Sequence, residues 1–240
     1  MAKHQTLTAA AVTCALQALG DKKIAVHSQR FFKTGPGDYG EGDVFIGVRV
    51  PVVRAQVKAF RALPQAEVEK LLHSKYHEVR LCAVLLMVEQ FQRRDESVKK
   101  SIYDLYIRSA EFVNNWDLVD CSAYKIVGPW LESRDRKPLY KLAKSKNLWE
   151  KRIAIMSTLH FIRHKDFVDC LQIAELLLHD EHDLIHKAVG WMLREVGNRN
   201  KKAEQGFLKE RYSSMPRTML RYAIEKFPKP ERDRYLTGKI

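Results

Sequence analysis

Several features are scarce or missing in this sequence of 240 residues. It has no apolar run long enough to cross a bilayer, and its N-terminus lacks the charged-then-apolar layout of a signal peptide. Its few cysteines form no C-x-x-C pair and lie among apolar neighbours: Cys14, Cys82, Cys121 and Cys170. This spacing excludes a disulfide framework and a zinc knuckle. We therefore expect a cytoplasmic or nucleoid-associated protein whose cysteines are small buried hydrophobes.

Alternating strand patterns are also nearly absent, and residues 42–50 are the main exception. Apolar residues three and four apart instead predict helices, as in residues 76–92, 150–163 and 181–196. After Pro51 the helical segments form pairs about 35 to 40 residues apart, which is the period of HEAT-like units. The sequence predicts an all-α single domain over residues 1–240, with HEAT-like helical repeats stacked into a curved solenoid. A compact helical bundle is the alternative.

Positive charge is in excess, with 42 Lys and Arg against 29 Asp and Glu and a net charge of +13. Such a balance favours a polyanionic partner, of which nucleic acid is the commonest, and a solenoid would offer it a basic concave face. The alternative is that the charge only keeps the protein in solution.

A glycine-rich connection spans residues 34–47 and contains the string GPGDYG. The string matches G-x-G-x-x-G, but no strand precedes it and no βαβ pattern surrounds it, so a dinucleotide site is excluded. We interpret the segment as a flexible connection without a ligand.

The segment 114–130, NNWDLVDCSAYKIVGPW, carries the main chemical signal. Asn115 is a candidate N-cap, Asp117 falls in the first turn, and Gly128-Pro129 is expected to end the helix. Trp116 and Asp120 are four residues apart and share a helix face. A carboxylate between Val119 and Cys121 is costly unless it faces water or a site. Taken alone, the pair also fits a core aromatic residue beside a solvated charge.

Basic residues recur at helical spacing on later segments. The candidates are Arg152 with Arg163, Lys187 with Trp191 and Arg194, and Arg217 with Arg221. Cations around an aromatic ring suit phosphates and a sugar or base, although the same pattern serves as a solvated stripe over a core.

Three strings together, NNWDLVD, NLWEKRIAIM and HKAVGWMLRE, make the sequence resemble the AlkD-like DNA alkylation repair family of HEAT-repeat DNA glycosylases. The N-terminal string RFFKTGPGDYGEGDVFIGVRVP is also similar, and the resemblance covers about residues 20–225.

The resemblance implies roles for individual residues. Asp120 would be the catalytic carboxylate, and Trp116 and Trp191 would contact the sugar and backbone of the lesion nucleotide. Arg152 would contact the DNA backbone, with Arg194 as a further candidate. Two positions depart from the pattern: Phe31 stands where the family has a tyrosine, and Asn115 where it has a second tryptophan. These departures affect lesion preference and rate more than the chemistry.

The resulting prediction is a monomeric, monofunctional glycosylase that excises alkylated purines from double-stranded DNA, with no metal, cofactor or lyase step. The proposed DNA contacts are Phe31, Arg152, Arg163, Lys187, Arg194, Arg217 and Arg221. One alternative is a non-catalytic protein that binds damaged or branched DNA on the same scaffold. Another is a HEAT-type scaffold for protein partners, whose DNA binding would depend little on salt.

Overall fold

The computed structural model describes residues 7–240, and the chain divides into two compact units, Met1–Ser122 and Ala123–Ile240. Within residues 7–240 there is no β-strand, and the stretch 42–50 contributes only an isolated bridge between Val44 and Tyr76. The predicted all-α class is confirmed. In the part of the chain that the structure describes, no helix has the length and apolar character to cross a membrane.

The first unit is built around one buried helix. Its helices are α1 (Ala9–Ala18), α2 (Lys22–Phe31), α3 (Val50–Ala59), α4 (Gln65–Leu72), α5 (His77–Arg93) and α6 (Glu96–Arg108), followed by the start of α7 (Trp116–Leu131). Apolar side chains lie on all sides of α5, which is buried from His77 to Val88. Because a helix with apolar residues on every side needs neighbours on every side, α1, α3, α4 and α6 all pack against it.

The glycine-rich connection between α2 and α3 is fastened to the start of α5. The buried Glu78 carboxylate accepts hydrogen bonds from the backbone N–H groups of Ile46 (2.9 Å), Gly47 (2.7 Å) and Val48 (3.2 Å). Gly47 has φ +88°, and a Cβ there would lie 2.0 Å from the carbonyl oxygen of Asp21. The end of the connection therefore has a defined conformation, unlike the flexible segment that we expected from the sequence.

The second unit contains the end of α7 and the helices α8 (Lys137–Ala143), α9 (Leu148–Ser157), α10 (Leu159–Arg163), α11 (Val168–Leu176), α12 (Asp183–Gly197), α13 (Lys201–Arg211), α14 (Arg217–Ala223) and α15 (Lys229–Thr237). Alternate helices stack, since α9 packs on α12 and α12 on α14. They begin at residues 148, 183 and 217, which is a spacing of 35 and then 34 residues. This spacing agrees with the helical repeat predicted from the sequence.

The end of α7 differs from the sequence prediction. The helix continues through Gly128 and Pro129 to Leu131, so the expectation that this pair ends it is wrong. Pro129 has no N–H to donate and its ring crowds the carbonyl group four residues before it, and the helix ends two residues later. Gly128 has a packing role instead, because a Cβ there would lie 2.5 Å from His160 Cβ and 2.7 Å from the Ser157 oxygen.

Candidate active site

The indole of Trp116, the first residue of α7, is held by aromatic side chains of the first unit. The Phe32 ring stacks on it with centroids 5.2 Å apart and planes 17° apart. Phe31 meets it edge to face at 5.9 Å. The indole Nε1–H donates a hydrogen bond of 3.3 Å to the hydroxyl of Tyr39, which lies in the glycine-rich connection. The end of α2 and the connection therefore fix the orientation of the indole.

A buried ionic network lies beside the indole. His77, the first residue of α5, contacts Asp43 through Nδ1 at 3.1 Å and Asp117 through Nε2 at 2.9 Å. Asp43 also accepts hydrogen bonds from Arg80 and, at 3.2 Å, from the Asn115 amide. Asp117, one residue after Trp116, is thereby tied to α5 and the glycine-rich connection. We call Trp116, Phe32, Asp43, His77 and Asp117 the anchor cluster.

The charges of the anchor cluster follow from its geometry. Burial alone would lower the pKa of His77, but the neighbouring carboxylates of Asp117 and Asp43 outweigh it and raise the pKa to about 9. Burial alone would raise the pKa of Asp43, yet the hydrogen bond from His77 and the charge of Arg80 lower it. At neutral pH the imidazolium therefore lies between two carboxylates, with the Phe45 ring stacked on it at 4.5 Å.

Asp120 lies one helical turn after Trp116 on α7 and is partly buried. The prediction that the two residues share one helix is confirmed, and Asp117 lies in the first turn as predicted. Asn115 uses its side-chain oxygen to accept a hydrogen bond of 2.8 Å from the Trp116 N–H. The catalytic role of Asp120 stays a prediction.

A cavity of about 630 Å³ lies in the first unit next to the anchor cluster. Phe32, Phe45, His77 and Asp117 contribute to its lining. Basic side chains line it as well, namely Lys23, His27 and Arg49. Its walls thus combine aromatic faces with the cations of Lys23 and Arg49, groups that suit a nucleotide, and with the carboxylates of Glu78 and Asp117.

On α12, in the second unit, Lys187, Trp191 and Arg194 form the face that the sequence predicted, which we call the α12 face. The three side chains are partly buried and lie on one uninterrupted helix. Each also has an acidic neighbour: Lys187 pairs with Asp183 at 2.7 Å, the Trp191 Nε1–H donates to Glu195 at 3.3 Å, and Arg194 pairs with Glu225. DNA phosphates would have to compete with these carboxylates.

The expectation that Arg152 and Arg163 lie on one helix face is wrong. The chain forms two helices here, α9 and α10, with a break at Thr158. Arg152 is only 4 % exposed and donates to the carbonyl oxygen of Leu184 at the start of α12. Arg163 is exposed, and its guanidinium lies 4.7 Å from the centroid of the Tyr124 ring. In this structure Arg152 therefore holds the start of α12, and its contact with DNA stays a prediction.

The remaining candidates lie at the surface. Phe31 is 59 % exposed although it touches Trp116. Arg217 and Arg221 are exposed on α14, and Arg217 donates 2.7 Å to the carbonyl oxygen of Leu236. The contacts of these residues with DNA stay predictions.

Sequence reasoning missed Asp43, His77 and Tyr39. His77 had one usable signal, because it is a polar residue at the start of an otherwise apolar helix, where burial requires partners. Asp43 and Tyr39 lie in the glycine-rich connection, which we interpreted as having no site role. Tyr39 supplies a tyrosine hydroxyl to Trp116, although Phe31 stands where the resemblance expects a tyrosine.

Comparison with solved structures finds a similar fold in a predicted DNA alkylation repair enzyme from Enterococcus faecalis. The TM-score is 0.68, the sequences are 19 % identical, and the match covers 88 % of this chain and 97 % of the other. Identity this low shows likeness of fold alone. Among curated proteins, no match is found.

The sequence of this chain also matches a family model described as DNA alkylation repair enzyme, over residues 12–227. The match includes the anchor cluster, Asp120 and the α12 face. The chain therefore belongs to the DNA alkylation repair enzyme family.

Proposed function

We propose that this protein is a monofunctional DNA glycosylase that hydrolyses the N-glycosidic bond of alkylated purines in duplex DNA. Membership of the DNA alkylation repair enzyme family indicates a DNA repair role and DNA as the partner. The net charge of +13 suits a polyanion. The glycosylase reaction, the lesion class and the residue roles are the content of the proposal.

The lesion chemistry determines which groups the protein needs. A purine alkylated at N3 or N7 is cationic, and when its bond to C1′ breaks the electron pair neutralises the departing base. Positive charge then develops on the deoxyribose, and water adds at C1′ with loss of a proton. An ionised Asp120 would stabilise the sugar cation and accept the proton of the water. The indole face of Trp116 would add cation–π attraction.

One observation carries the proposal for this site. The indole of Trp116 is held by Phe32 and Tyr39, and Asp120 follows one turn later on the same helix. Preorganised groups stabilise a transition state without reorganisation during the reaction, which is the main source of electrostatic catalysis. The adjacent Asp117 is ion-paired with His77, so Asp117 serves to hold α7 and leaves the chemistry to Asp120.

The test is single-turnover release of 7-methylguanine and 3-methyladenine from methylated duplex DNA. Asp120→Asn keeps the shape of the side chain and removes its charge. We expect the rate of base release to fall about 100-fold to 1,000-fold, with the affinity for duplex DNA within about twofold of wild type. Asp104→Asn is the matched control, because Asp104 forms only an exposed ion pair with Lys100.

Two outcomes would refute the proposal in different ways. Excision at the wild-type rate by Asp120→Asn would show that Asp120 is not the catalytic carboxylate. Tight binding of methylated DNA by the wild type without base release would favour the non-catalytic DNA-binding protein instead.

A further inference from the structure

Three side chains with metal-binding chemistry meet in the second unit. Glu132 follows the end of α7, His160 lies on α10, and His164 comes directly after α10. One carboxylate oxygen and one nitrogen of each imidazole lie within 4.8 Å of one another. Across residues 7–240 no other group of three His, Cys, Asp or Glu residues meets this condition. The proposed glycosylase chemistry uses none of the three.

The distances within the cluster fit a small divalent cation. His160 Nε2 lies 3.3 Å from Glu132 Oε2, and His164 Nδ1 lies 3.5 Å from Glu132 Oε1. Zinc bonds to nitrogen and oxygen are about 2.0–2.1 Å, so two ligands of a tetrahedral ion lie roughly 3.3 Å apart. Each imidazole nitrogen thus lies at about this spacing from one oxygen of Glu132, and one ligand atom of each residue lies within 4.8 Å of the other two.

Helix packing brings Glu132, just after the end of α7, close to His160. Close packing of α7 on the segment that carries His160 is possible only because residue 128 is glycine. Nε2 of His160 is buried and has no well-aligned hydrogen-bond partner, although Glu132 lies beside it. A buried ring nitrogen without a hydrogen bond is costly, and a metal ion would use its lone pair.

His182 and His186 form a second pair four residues apart, but their ring nitrogens bond the backbone instead. The four-residue spacing alone therefore does not make a metal-binding cluster. Nδ1 of His182 accepts a hydrogen bond of 3.1 Å from the Leu184 N–H, and Nε2 of His186 bonds the Asp180 carbonyl oxygen. At the first pair, Nδ1 of His164 also lies 3.0 Å from the His160 carbonyl oxygen. Binding through this nitrogen replaces that hydrogen bond and moves the ring proton to Nε2.

We propose that Glu132, His160 and His164 form a binding site for a divalent transition-metal ion, with Zn²⁺ preferred. Two imidazoles and one carboxylate suit Zn²⁺ better than Mg²⁺ or Ca²⁺, which take oxygen ligands. Three protein ligands leave a fourth position for water. The sequence prediction of no metal site rested on missing His/Cys ligand spacing and overlooked the H-x-x-x-H string at residues 160–164.

The test is titration of the full-length, chelator-treated protein with Co²⁺ and with Zn²⁺. We expect one ion per chain, visible d–d absorption from bound Co²⁺, and a rise in Tm of about 5 °C when Zn²⁺ is far above its Kd. His164→Gln is the main variant because the His164 side chain is 57 % exposed, so the substitution leaves the core intact. Its affinity for Zn²⁺ should fall about tenfold or more.

Glu132→Gln should show the same loss, since it keeps the shape of the side chain and removes the charge. The matched control is His179→Ala, an exposed histidine of the same unit outside the cluster, which should bind as wild type. Absence of stoichiometric binding by the wild type would overturn the proposal. So would wild-type affinity in both His164→Gln and Glu132→Gln.

Discussion

The anchor cluster and the α12 face use similar residue types in opposite ways. In the anchor cluster, His77 is 1 % exposed and its imidazole joins two carboxylates. On the α12 face, Lys187 and Arg194 pair with the acidic side chains of Asp183 and Glu225, which are 56 % and 49 % exposed. Buried pairs hold one geometry because separating them leaves an uncompensated charge, whereas exposed pairs contribute little and exchange partners readily. The first arrangement suits fixed positioning, and the second suits exchangeable phosphate contacts.

The largest expected effect is a pH dependence of the free energy of unfolding, which tests the buried anchor cluster. His77 has a raised pKa of about 9 in the folded protein, against about 6.5 in an unfolded chain. Its stabilisation is therefore complete below pH 6.5 and is lost as the pH rises through 9. Between these values we expect the free energy of unfolding to fall by about 1.4 kcal/mol per pH unit from this group.

Urea unfolding followed by far-UV circular dichroism at pH 6, 7.5 and 9 measures this dependence. The comparison is with His77→Gln, which carries no titrating charge at this position. Equal pH slopes in the two proteins would show that His77 is neutral in the fold and that the cluster is not an ionic anchor.

An intermediate effect, on the rate of base release, is expected from loss of the hydrogen bond between Trp116 and Tyr39. Trp116→Phe keeps a ring against Phe32 but loses the Nε1–H donor, and Tyr39→Phe removes the acceptor. Loss of one neutral hydrogen bond costs about 1 kcal/mol, so Tyr39→Phe should excise the lesion about fivefold more slowly. Trp116→Phe also replaces the indole face and should be at least as slow.

A double-mutant cycle on single-turnover rates isolates this contact. If the hydrogen bond positions the indole, the double variant should be no slower than Trp116→Phe alone. If the rate losses of the two single variants multiply in the double variant, the two residues act independently and Tyr39 does not fix Trp116.

The smallest effect concerns the α12 face. If Lys187 and Arg194 contact phosphates, Lys187→Ala and Arg194→Ala should each reduce the log–log salt slope of DNA binding by about 0.9. Fluorescence anisotropy with an undamaged duplex at several salt concentrations measures the slope. Lys100→Ala, on α6 of the first unit, is the control. An unchanged slope in both α12 variants would mean that Lys187 and Arg194 form ion pairs with Asp183 and Glu225 and do not contact DNA phosphates.

Local patterns predicted the parts of the molecule that depend on neighbours in sequence. The helical class, the repeat spacing and the common face of Lys187, Trp191 and Arg194 follow from periodicity along one helix. The periodicity failed at Arg152 and Arg163 because the helix breaks at Thr158, where the Thr158 side chain bonds the Ile155 carbonyl oxygen. Because of this break, Arg152 and Arg163 lie on different helices and have different surroundings.

The anchor cluster could not be predicted in the same way, because its contacts join distant parts of the chain. Asp43 and His77 are 34 residues apart, and His77 and Asp117 are 40 apart. Each residue type alone has common local uses, such as a turn for Asp43 and a helix start for Asp117. Only the tertiary fold shows that the three side chains share one buried site.

The tie between Glu78 and the glycine-rich connection has a consequence for how the chain is made. During synthesis the Gly47 amide leaves the ribosome 31 residues before the carboxylate that it needs. Closing a loop of this length costs entropy, and the cost is recovered only when α5 begins to form. The connection therefore docks late, and Tyr39 reaches its position only after the protein has grown past the start of its central helix. A nascent chain halted before residue 78 would carry this segment undocked and open to proteases.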